Sequence, residues 1–470
     1  MTCQPARIPL FPTKWRGART IGVQLINQAR ARFREGHSAS TQSLIRIVTS
    51  KRQECQELPH STDSGSLMLR LTLLTALLFT SHATAEQKPL RVYILAGQSN
   101  MQGHAHVRTI DHIGMDPKTA PMLKDMRNAD GSDVVCKDVW ISSIGSSEEE
   151  KSGQLTTGYG ASQRGPKIGP EFTFGIYVQQ LTQEPILIIK TAWGGKSINT
   201  NFRPPSAGPY EFSDKQLEQF KKQGKDVDQI TKDRAEATGV YYRLMIEHVR
   251  AVLKDIKRVY PHYDASSGYR LSGFVWFQGW NDMVDRGTYP DRGSPGGYQK
   301  YSDVLSHFIR DVRKDLNVPK LPFVIGVMGV GGPIEKYGPE KQRIKPVHEQ
   351  FRLAMAAPAS MPEFAQNVGV VKTADSWDME LDALIRKQEQ IKSKSRSLSK
   401  DESLSPAQRK QQLEEFAATT MTDTERKTLE AGTSNAGYHY LGSAKIMARI
   451  GREFAIEVLK TEARQQTVFE

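Results

Sequence analysis

The sequence predicts an α/β fold, a parallel sheet with helices on both of its faces. Three observations carry this. Five short runs, 91–96, 186–190, 271–277, 322–327 and 368–372, are nearly continuous in apolar character, as strands buried on both faces are. Helical periodicity fills the gaps between them, and strands alternating with helices imply a parallel sheet. A polar loop follows each run, at the carboxyl end of the strand, where open α/β sheets place their sites.

The elements follow in order. The first run ends in Gly97-Gln98-Ser99-Asn100. A helix over 170–181 opens with Pro170 and Glu171, both favoured in a first turn. The second run leads into Thr191-Ala192-Trp193-Gly194-Gly195, and residues 201–237 beyond it are charged and loop-like. A helix over 241–259 puts Met245, Val249, Val252 and Ile256 on one stripe. Another over 301–316 does the same with Val304, Leu305, Phe308, Ile309 and Val312. The last three runs lead into Gln278-Gly279-Trp280-Asn281-Asp282, Met328-Gly329-Val330-Gly331-Gly332 and Thr373-Ala374-Asp375-Ser376-Trp377. Residues 383–430 are rich in Lys, Glu, Gln and Ser and read as a solvated helical hairpin or mobile arm. A final helix covers 441–459. With no repeat and no second core, 88–462 reads as one domain, and its five loops should converge on one site.

Apolar residues make up 38% of the 470 and charged residues 25%, enough for a real core and too polar for an integral membrane protein. Half of the formal charge of +12 comes from residues 1–67, with ten Lys and Arg against four Asp and Glu. The rest is scattered among acids, with no basic stripe interleaved with aromatics, so no nucleic-acid partner is expected. Met68-Leu69-Arg70, the apolar 71–79 and Ala83-Thr84-Ala85 have the order of a signal peptide, and the apolar run is too short to span a bilayer. A leader over 68–85 is therefore expected, with Met68 as the start and export to the periplasm or beyond. Residues 1–67 are either not translated or a disordered extension. Of Cys3, Cys55 and Cys136 only the last would remain, so neither an internal disulfide nor a cysteine-based zinc site is available.

Ser99 stands just past a strand at a sharp turn into a helix. Such a turn exposes the hydroxyl and aims the serine N–H at a developing oxyanion. The pattern differs from the Gly-x-Ser-x-Gly elbow of α/β-hydrolases, and a turn serine capping a helix is the plainer alternative. Gly97-Gln98-Ser99-Asn100-Met101, Gly194-Gly195-Lys196-Ser197-Ile198, Trp276-Phe277-Gln278-Gly279 and Tyr438-His439-Tyr440 occur in that order. Together they resemble the SGNH hydrolase superfamily. More narrowly, they are similar to the carbohydrate O-acetylesterases that include sialate O-acetylesterase and the acetylxylan esterases of carbohydrate esterase family 6. The likeness spans about residues 90–460. It implies a flavodoxin-like three-layer α/β/α fold with a five-stranded parallel sheet, Ser99 as nucleophile and His439 as base. It also implies an oxyanion hole from the Ser99 N–H, Gly195 (or Gly194) and Gln278.

One position departs from that pattern. The resemblance implies an Asp three residues before the histidine, and Ala436 stands there. Asp282 is the first candidate to orient His439, with Asp375 and Asn435 as alternatives and a main-chain carbonyl also available. Trp193 and Trp280 are candidate sugar platforms; Trp276, within a strand, reads as core. Arg203 and Lys196 are candidates for contact with an acidic sugar, although each reads as a solvated charge when taken singly. His104, His106 and His112 lie near Asp111 and Asp116, a spacing open to a weak metal site, but surface loop residues are the plainer reading. No metal or cofactor is expected. The function implied is a secreted serine esterase acting on an acetylated carbohydrate through an acetyl-serine intermediate. The missing Asp motivates an alternative, a catalytically impaired carbohydrate-binding protein on the same fold. Neither the sugar nor the oligomeric state is legible.

Overall fold

The computed structural model describes residues 88–466. The expected leader at 68–85 and the segment 1–67 lie outside the described residues. Seven strands form the main sheet: β1 (Leu90–Gly97), β2 (Val139–Gly145), β3 (Lys151–Gln154), β4 (Ile186–Ala192), β5 (Tyr269–Phe277), β6 (Phe323–Val327) and β7 (Val368–Lys372). Their spatial order is β3-β2-β4-β1-β5-β6-β7. All neighbours are parallel except β2 and β3.

The five expected strands are β1, β4, β5, β6 and β7. The five-strand count is corrected by β2 and β3 at one edge. In β2 the sequence Val139-Trp-Ile-Ser-Ser-Ile-Gly is half polar, and only part of it is buried. β3 is the exposed edge strand Lys-Ser-Gly-Gln. Neither offers the apolar run of a strand covered on both faces.

Alternation along β5 shows the layers. Phe277 packs edge-on against Phe454, and a Cβ at Gly273 would meet Val458, both on the helix Ala444–Gln466. Phe274 and Trp276 point the other way, onto Phe308 of the helix Gln299–Asp315. On the first face the helix Glu171–Thr182 joins through Phe174 against Tyr93. On the second, Val240–Lys254 joins through Tyr242 against Phe308. Period-two alternation with helices on both sides makes three layers, α/β/α.

The stretch 201–237, expected as loop, holds the helices Asp214–Lys222 and Val227–Ala237. Neither buries a residue, so no apolar stripe marked them, and a Ser213–Gln216 capping box sets the first. The stretch 383–430, expected as a helical hairpin or mobile arm, lies on the helices Met379–Leu398, Pro406–Thr420 and Asp423–Gly432. Among the described residues no helix is long and apolar enough to cross a membrane.

Candidate active site

Gly97 ends β1 against the neighbouring strand. A Cβ there would lie 2.1 Å from the Phe277 carbonyl oxygen, so only glycine lets the two strand ends meet. The chain then turns into the short helix Ser99–Gln102, with Ser99 first. Its N–H belongs to the opening turn, which has no intrahelical acceptor. Lys190 on β4 holds the far end of this helix. Fully buried, its ammonium donates to Glu171 Oε2 at 2.7 Å and to the carbonyls of Gln102 and Tyr159 at 2.9 Å. The expected first-turn Glu171 is thus a buried partner for a buried lysine. Removing either would strand a charge.

Ser99 lines a cavity of about 630 Å³ together with Gly194, Gly195, Trp280, Asn435 and His439. The lining contains Arg164 and Lys167 and no carboxylate. Lys167 Nζ spends its donors on the carbonyls of Ala161, Gln163 and Gly165, pinning one wall.

His439 is presented by a strained turn. Tyr440 (φ 52), Leu441 (φ 61) and Gly442 (φ 58) are consecutive left-handed residues, which costs the two non-glycines about 1–3 kcal/mol each. The surroundings enforce it. The buried Tyr440 hydroxyl accepts from the Gly329 N–H at 2.7 Å and bonds to Thr373 Oγ1. The Leu441 carbonyl accepts from Ser434 N and Asn435 N, at 2.9 and 3.0 Å. The loops after β6 and β7 therefore contribute anchorage for the histidine turn, while those after β1, β4 and β5 line the cavity.

The same turn folds Asn435 back onto the histidine. Asn435 Oδ1 receives the Ala436 N–H at 2.8 Å and lies 3.0 Å from His439 Nδ1. An atom accepting from a backbone N–H is the amide oxygen, so Nδ1 carries the imidazole proton and Nε2 keeps its lone pair. The His104 ring stacks on that of His439 with centroids 3.8 Å apart and planes at 4°. Burial pushes the pKa of His439 down to about 4, and burial with neighbouring His439, Lys167 and Lys190 pushes His104 down to about 3. Both are neutral at pH 7. Ser99 and His439 share the cavity without a direct hydrogen bond, and such contacts often tighten only around substrate.

Several expected site residues stand elsewhere. Asp282 is fully buried, and its carboxylate accepts from Ile198 N at 2.9 Å, Asn199 N at 3.1 Å and Gln278 Nε2 at 2.5 Å. It ties the second loop to the third and does not orient His439. Asp375 lines cavities other than this one. Gln278 is buried behind the wall, its amide N–H₂ spent on Asp282, the Lys196 carbonyl and Gln98 Oε1, so it is not free for an oxyanion. Trp193 is buried edge-on against Tyr241 and does not line this cavity. The Arg203 guanidinium is spent on Asn199, Ala207 and Gly208, bracing its own loop. Trp280 does line the cavity, half-buried beside Tyr438. The three histidines of the possible metal cluster diverge: His104 stacks on His439, His106 Nδ1 accepts from Arg108 N, and His112 is buried. Among the described residues no cluster of three or more His, Cys, Asp or Glu is arranged to hold a metal.

Asn281 is a further cavity residue that no motif in the sequence marks. The Gly279 N–H donates to Gln98 Oε1, which makes the other Gln98 atom the nitrogen, and it donates to Asn281 Oδ1 at 2.9 Å. Asn281 lines the cavity with its N–H₂ unspent among the described residues. Only its place beside Gln278-Gly279 could have flagged it.

The strand-end Ser99 and the tautomer-fixed His439 thus line one cavity. The profile of the carbohydrate esterase, sialic acid-specific acetylesterase family matches residues 89–382. The chain belongs to that family. As a carbohydrate esterase it hydrolyses carbohydrate acetyl esters. The matched segment contains Ser99, Gly195 and Asn281 and ends before Asn435 and His439. No curated protein matches the esterase. Two solved structures are weakly similar. A protein of Arabidopsis thaliana has 17% identity and a TM-score of 0.30, over 61% of this chain and 86% of that one. A carbohydrate acetylesterase from Xanthomonas citri has 12% identity and a TM-score of 0.30, over 60% of this chain and 49% of that one.

Proposed function

We propose that the esterase is exported and removes O-acetyl groups from a carbohydrate through an acetyl-serine at Ser99. Ser99 Oγ attacks the acetyl carbonyl carbon while His439 Nε2 takes the hydroxyl proton. The carbonyl oxygen becomes an oxyanion facing the N–H groups of Ser99 and Gly195 and the N–H₂ of Asn281, which takes the role first given to Gln278. The bond from the acyl carbon to the sugar oxygen breaks, and His439 returns the proton to the departing alkoxide. Water, deprotonated by the same histidine, then attacks the acetyl-serine; the bond from the acyl carbon to Ser99 Oγ breaks, His439 hands its proton to Oγ, and acetic acid leaves and ionises to acetate.

One observation carries this reading: His439 Nδ1 is tied to an amide oxygen, which leaves Nε2 as the base in the cavity that Ser99 lines. The same bond favours an active site over a catalytically impaired one, because the orienter lost at Ala436 is supplied from Asn435. Export rests on the leader-like 68–85. Ser99→Ala should abolish hydrolysis of p-nitrophenyl acetate with thermal stability unchanged. Full activity in that variant would exclude the serine.

A further inference from the structure

A second cavity, about 570 Å³, adjoins the catalytic one. Trp280, Asn435 and Tyr438 line both. The Trp280 and Tyr438 rings stand 5.7 Å apart at 39°, and Tyr438 is 44% exposed. Beyond them the walls come from Ile344 and, on the helix Met379–Leu398, from Ile385 and Gln388. Ile344 is exposed although apolar. The Gln388 amide has no hydrogen-bond partner among the described residues, whereas Asp382 deeper in is saturated by Lys341, Arg386 and Trp377.

Aromatic and aliphatic faces beside a free amide match a sugar ring, which has apolar C–H faces and a hydroxyl rim. Acetyl transfer needs only the first cavity, and each cavity alone is of ligand-binding size. Ile385 and Gln388 also lie past residue 382, where the family match ends.

We propose that this second cavity is a glycan subsite. It holds the sugar residue next to the one bearing the ester, so the preferred substrate is an acetylated oligo- or polysaccharide and not a free acetylated sugar. This rests on the reading of the first cavity as the esterase site.

The experiment compares kcat/KM for the O-acetylated mono-, di- and tetrasaccharides of a xylose series and of a glucose series, with p-nitrophenyl acetate as a substrate that reaches only the first cavity. Wild type should gain at least tenfold from mono- to tetrasaccharide in at least one series. Ile385→Trp, which fills the subsite, should remove that gain while leaving p-nitrophenyl acetate within twofold of wild type. Gln388→Ala, a surface change that does not threaten folding, should reduce the gain severalfold. No gain with chain length, or a gain untouched by both variants, would overturn the subsite. Failure of the catalytic reading looks different: wild type would not hydrolyse p-nitrophenyl acetate at all.

Discussion

Asn435 Oδ1 lies 3.0 Å from His439 Nδ1, four residues away along a turn whose middle is left-handed. The neutral amide fixes the tautomer but adds no negative charge to stabilise the imidazolium that the proposed attack would form. Asn435→Ala should therefore lower kcat, by less than the roughly 10⁴-fold cost of losing a charged orienting partner, with little change in KM. Asn435→Asp should restore activity and raise the pKa of His439, moving the acidic limb of the pH–rate profile upward. Unchanged kinetics in both variants would remove Asn435 from the mechanism.

The pH dependence follows from the burial of His439. A base must be unprotonated, so activity is present above its pKa and lost as pH falls through it. With that pKa held down to about 4, kcat/KM should stay flat from pH 7 to about 5 and fall below. An acidic midpoint near the ordinary histidine value of about 6.5 would mean that the ring is solvated in the working enzyme.

His104 presents the face of a neutral ring to the ring that would become cationic in the proposed attack. A cation over an aromatic face gains about 0.5–2 kcal/mol. His104→Ala should lower kcat about tenfold with KM unchanged, and His104→Phe, which keeps a ring without a titrating group, should recover most of it. Equal loss in both variants would assign His104 to local packing.

Asp282 tests a structural pin against a catalytic orienter. Its loss would leave the Ile198 and Asn199 N–H groups and the Gln278 amide without their buried acceptor. Each orphaned buried group costs about 1–3 kcal/mol. Asp282→Ala should therefore lower the denaturant midpoint sharply. A variant with wild-type stability and a selective loss of kcat would return Asp282 to the site.

Acid should weaken the fold early. His104, His248, His348 and His439 have folded pKa values pushed by burial to about 3, 4, 4 and 4. The unfolded chain takes up these protons near pH 6.5, so it binds more protons than the folded one below that pH, and stability falls between about 6.5 and 4. Asp282, raised to about 6, and Asp375, also raised, act in the opposite direction, but they are outnumbered. The melting temperature followed from pH 7 to 4.5 should decline; a flat or rising trend would contradict the buried neutral histidines.

What the sequence made legible was what local pattern encodes. The apolar runs of β1, β4, β5, β6 and β7 need no partner to be read, and Ser99 follows directly from the first of them. β2 escaped because Ser142 and Ser143 break its run, although Ser142 is buried against His248. The roles of Asp282 and Asn435 were exchanged because both depend on contacts remote from their own positions. Asp282 faces backbone 83 and 84 residues away, and Asn435 reaches His439 only because Tyr440 is anchored to the loops at Gly329 and Thr373. Nothing local shows that Trp193, a candidate sugar platform, packs against Tyr241, or that Arg203, a candidate contact for an acidic sugar, braces its own loop.

The most direct test is to trap the acyl-enzyme. Wild-type protein, mixed with p-nitrophenyl acetate and quenched in acid within the first turnover, should yield an acetylated peptide by mass spectrometry with the acetyl group on Ser99. His439→Ala should give little or none. An acetyl group on another residue, or rapid turnover with Ser99 never acetylated, would contradict the proposed chemistry.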